Sequence, residues 1–135
     1  MINIQNLSKN RLDYAILHWW LWSHIVETLK DQSFKFKDYK DIVDLKQHIS
    51  NFLFTPKDLM VCFPCAYLNY NEGCNSCMFK KVYYDGRIIN NSKYNPNICL
   101  SCSTTEYHLL RISFLDHNIK DCIKYASIIR DWELK

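Results

Sequence analysis

Six of the seven cysteines fall into three Cys-x-x-Cys pairs: Cys62/Cys65 (CFPC), Cys74/Cys77 (CNSC) and Cys99/Cys102 (CLSC). At this spacing a tight turn brings two thiolates onto one ion, and two such pairs complete a tetrahedral zinc site. Thiolate sulfur is soft, which suits zinc and does not suit calcium or magnesium. Cys62, Cys65, Cys74 and Cys77 form a compact set and are the expected ligands of one Zn2+. One ion cannot use six thiolates, so Cys99 and Cys102 stand as the second-choice pair, replacing one of the others in a treble-clef-like arrangement. They lie just before a capped helix, where backbone dipoles favour thiolate. An all-cysteine set leaves no open coordination position. The expected zinc is therefore structural, and its removal should unfold the cysteine-rich half.

Competing chemistries fit less well. CFPC carries a proline before its second cysteine, as thioredoxin-type motifs do, but such a fold needs a βαβ start and the flanks here read as helical. There is no HExxH. The deaminase pattern fails because Leu68 stands where a cysteine would follow Pro64-Cys65 and no H-x-E precedes it. His24 and Glu27 share one helical turn, and His18, His48, His108 and His117 have no partner motif. With only two glycines the chain has no phosphate-cradling loop. No catalytic constellation emerges, and the expectation is a protein that is not an enzyme.

The elements that would carry these residues are mostly helical. Hydrophobic residues make up 48% of 135 residues, enough for one core, while glycine and proline are scarce. Ser8 caps an expected helix over 9–29, with Leu12, Ala15, Ile16, Trp19, Trp22, Val26 and Leu29 on one face and Leu17, Trp20, Leu21 and Ile25 on a second. A second helix is expected over 39–52 with Ile42, Leu45, Ile49 and Phe52 on one stripe, a third over 104–115 after the capping box Ser103–Glu106, and a fourth over 119–132 burying Ile119, Cys122 (as an ordinary thiol), Ile123, Ala126 and Ile129. Val82-Tyr83-Tyr84, Asp85-Gly86 and Arg87-Ile88-Ile89 read as a hairpin with a type I′ turn. The expected fold class is α+β and mainly helical: about four helices around a four-cysteine zinc-knuckle β-hairpin module. It would form one domain over 1–135, with a helical part (1–58), the knuckle and hairpin module (59–102) and C-terminal helices (103–135).

No secretory signal or membrane span is apparent, and cysteines in a reducing cytoplasm are more often ligands than disulfides. The net charge of +3 permits nucleic-acid contact without requiring it. Lys80, Lys81 and Arg87, beside Tyr83 and Tyr84, could meet phosphates and bases. Three tryptophans within four residues, Trp19, Trp20 and Trp22, cannot share one side of a helix. At least one should reach the surface, where tryptophan is enriched among binding hot spots.

Together, the tryptophan-rich first helix (His18–Trp22), the pairs Cys62/Cys65, Cys74/Cys77 and Cys99/Cys102, the closing helix Tyr125–Trp132 and the bias toward Asn, Lys, Ile and Tyr carry a resemblance. The chain resembles small cysteine-rich, zinc-binding accessory proteins of phages and mobile elements in low-GC Gram-positive bacteria. Ala66, Met78 and Ser103 stand where zinc knuckles often carry glycine. The resemblance implies an accessory protein of the host-cell cytoplasm that acts through protein–protein contact. An anti-CRISPR inhibitor of a type II RNA-guided nuclease, blocking nucleic-acid loading, is the leading expectation. The alternative is a small zinc-finger regulator that binds nucleic acid.

Overall fold

The computed structural model describes residues 2–3, 11–55 and 106–133. Helix α1 (Arg11–Lys30) has Asp13 in its first turn and Lys30 in its last, both matched to the helix dipole. It buries Tyr14, Leu17, His18, Leu21, Trp22, Ile25, Val26 and Leu29. These alternate by three and one residues, the broad stripe of a core-facing helix. Of the first expected apolar face, Leu12, Ile16 and Trp19 are exposed, while Trp22, Val26 and Leu29 are buried. A helix that is apolar nearly all round does not choose its own orientation; its neighbours do, and they select the Tyr14–Leu17–Leu21–Ile25 side.

A 3-10 turn at Phe36–Asp38 leads to α2 (Ile42–Leu53). The expected start at Tyr39 gives way to Asp41, whose carboxylate accepts from Val43 N at 2.7 Å as the N-cap. Asp44 reaches back to the Lys40 N–H at 2.9 Å. Ile42, Leu45, Ile49 and Leu53 form the buried stripe of α2. Strand β2 (Phe54–Thr55) pairs in parallel with β1 (Ile2–Asn3), Ile2 opposite Phe54 and Asn3 opposite Thr55.

Helices α3 (Glu106–Leu115) and α4 (Ile119–Arg130) pack closely on each other, and α4 packs as closely on α1. The buried side chains of α4 are Cys122, Ala126 and Ile129, and the two small ones let a large-side-chain helix approach. Between α3 and α4 the chain turns through a Schellman motif. Asn118 N donates to Ser113 O at 2.9 Å and His117 N to Phe114 O at 3.1 Å. His117 takes the left-handed position at φ 55°, where glycine is usual. Its ring stacks on Phe36 at 4.9 Å, a contact glycine could not make. Asn118 then caps α4 by accepting from Asp121 N at 3.1 Å.

The expected α+β class is corrected. The described residues form four α-helices, and their only extended pairing is the two-residue parallel bridge. Each described helix carries its apolar stripe at helical spacing and closes it on another helix, so no sheet is needed to complete the core. The expected hairpin and all three Cys-x-x-Cys pairs lie outside the described residues. No helix among the described residues is long and apolar enough to cross a membrane.

Candidate functional site

The aromatic cluster of α1 divides into three environments. Trp22 is 3% exposed. It meets Tyr107 edge-on at 6.1 Å, with the Lys46 ammonium over both rings at 5.9 and 5.5 Å. It is a core residue joining α1, α2 and α3, and so is not available to a partner. Trp20 is half-buried, edge-on to Phe54 at 6.1 Å and 5.7 Å from the His24 ring. Trp19 is 53% exposed. With Ile16 at 63% and Leu12 at 57% it forms one apolar strip along the outer side of α1.

The inner side of the same helix is fixed by His18, itself 3% exposed. Its Nε2–H donates to the Ile129 carbonyl at 2.8 Å, and its ring stacks on Trp132 at 5.7 Å. Ile129 O lies in the last turn of α4, where carbonyls lack partners inside the helix, so this buried imidazole ties the first helix to the end of the last.

Cys62, Cys65, Cys74, Cys77, Cys99 and Cys102 lie outside the described residues, as do Lys80, Lys81 and Arg87. Among the described residues no group of three or more His, Cys, Asp or Glu comes together around a point that could hold a metal. Cys122 is fully buried and free, as expected. Desolvation, with a smaller contribution from the charge of Asp121, pushes its thiol up to about 12, so it stays protonated at neutral pH.

The fold also creates a feature that sequence reasoning missed. A cleft of about 240 Å3 opens between α1 and α2, lined by His24, Thr28, Tyr39, His48, Ile49, Phe52 and Leu53. His24 and His48 stand on different helices, each without a local motif, so nothing in their spacing announces the pair. Comparison with protein-family models, with curated proteins and with solved structures finds no match to this chain.

Proposed function

We propose that this protein acts by binding another protein through the Leu12–Ile16–Trp19 strip of α1, and performs no chemistry of its own. The observation that carries the reading is the half-exposed Trp19 at the end of a strip that continues through exposed Ile16 and Leu12, on a helix whose opposite side is locked into the core. A large, rigid ring with only two rotatable bonds loses little conformational entropy on docking, which is what makes tryptophan a frequent anchor. Its burial, with that of Ile16 and Leu12, would supply a few kcal/mol at about 25 cal/mol per Å2. One structural Zn2+, held by Cys62, Cys65, Cys74 and Cys77 or with Cys99 and Cys102 replacing a pair, would stabilise the middle of the chain. The protein would work in the cytoplasm, where thiolates stay reduced.

The resemblance names the partner class: a type II RNA-guided nuclease, inhibited by blocking guide or target loading. The test is titration of target-DNA cleavage by such a nuclease with its guide, with a gel shift of the target in parallel. Stoichiometric loss of cleavage without a shift of free DNA, abolished by Trp19→Ala, is the expected result. Full cleavage at excess protein removes that nuclease as partner. A salt-sensitive shift of free DNA that weakens on charge reversal at Lys80 and Lys81 replaces this reading with the nucleic-acid one.

A further inference from the structure

We infer that the cleft between α1 and α2 is a binding site for a small organic anion, of the class of one-ring or short-chain carboxylates. Three polar heads line it: the imidazoles of His24 and His48 and the phenol of Tyr39. Their side chains make ring contacts only, His24 with Trp20, and Tyr39 with Phe34 and His48. The three heads thus retain their hydrogen-bonding capacity toward the cleft and solvent. Thr28 adds a hydroxyl whose proton is already committed to the His24 carbonyl at 2.8 Å.

The remaining walls are apolar. Ile49 and Leu53 are buried beneath the cleft, and Phe52, 76% exposed, stands at its rim. Among the described residues no carboxylate lines the cleft, so its imidazole and phenol donors meet an anionic oxygen with no fixed negative charge there to hold an ammonium group. A volume of about 240 Å3 lies below the range of drug-sized sites, which limits the occupant to a single ring or a short chain. A metal ion is the poorer occupant, because two imidazoles find no third His, Cys, Asp or Glu among the described residues. The site is on a different side chain set from the Trp19 strip, and its test is independent of any protein partner.

The experiment is a 19F NMR titration of the full chain with 4-fluorobenzoate, with 4-fluorobenzamide and 4-fluorobenzylamine as neutral and cationic counterparts. A saturable response is expected, with a Kd on the order of 1 mM for so small a ligand. The amine should bind roughly tenfold more weakly, as should the benzoate to the double variant His24→Gln, His48→Gln. Tyr39→Phe, which keeps the ring contacts and removes one donor, should weaken binding a few-fold and guards against misfolding of the double variant. A response that does not saturate, equal binding of the amine, or an unchanged Kd in both variants overturns the proposal.

Discussion

Cys122 offers a quantitative check on the packing of α4. The thiol is fully buried beside Ala126 and Ile129 in the core, and burial raises it from 9.0 to about 12. The unfolded chain therefore releases this proton at lower pH than the folded one. Stability from this group is complete below about pH 9 and is lost as pH rises toward about 12. Its full extent is roughly 4 kcal/mol, of which roughly 1–2 kcal/mol is already gone at pH 10. The assay is urea unfolding at pH 7 and pH 10 of the native chain and of Cys122→Ala. The variant pays a cavity cost at both pH values, and every other ionising group responds alike in the two proteins. The difference of differences isolates Cys122, and the native chain should lose roughly 1–2 kcal/mol more than the variant. Equal losses would refute the reasoning, since a thiol that ionises as easily in the fold as in the unfolded chain is not buried.

The other predictions concern the cap, the tryptophans and the metal. Asp41→Ala removes the cap bond to Val43 and the 3.2 Å ion pair with Arg111, and should cost about 1–2 kcal/mol in denaturant unfolding. Arg111→Ala, whose side chain is half exposed, should cost under about 1 kcal/mol. Trp22→Ala should destabilise the fold by about 3–5 kcal/mol, whereas Trp19→Ala should leave the melting temperature nearly unchanged while abolishing partner binding. Cys62→Ser or Cys65→Ser should release zinc and yield insoluble protein, and Cys122→Ser should keep the metal, as read by metal analysis of purified protein. Zinc retained in both knuckle variants removes that ligand assignment.

Much of the helical framework was legible because its signals are local. The stripe Ile42, Leu45, Ile49 and Phe52 placed a helix on the right segment, although Phe52 proved exposed and Leu53 took its place inside. The last helix was recognised from Ile119, Cys122, Ile123, Ala126 and Ile129, of which Cys122, Ala126 and Ile129 are buried. The start of α2 moved because a carboxylate cap at Asp41 outweighs a tyrosine that can join the aromatic contacts around Phe34. The expectation of a mixed fold built around a hairpin rested on a turn motif read in isolation, while the described core closes helix on helix. The candidate cleft had no local signal at all.

Composition and periodicity determined that helices form at the two ends of the chain and that Cys122 faces inward, since both follow from residues three and four apart on a single helix. The cysteine spacing carries the proposal of zinc for the middle of the chain, whose six paired cysteines lie outside the described residues. Only tertiary structure decided which side of α1 is the inside. With apolar residues around nearly its whole circumference, α1 is oriented by α4, whose small Cys122 and Ala126 permit close packing, and by the His18 bond to Ile129. That choice leaves Trp19 in solvent and seals Trp22 in the core. It also sets His24 across from His48, because a site shared between helices exists only once their packing has brought them together.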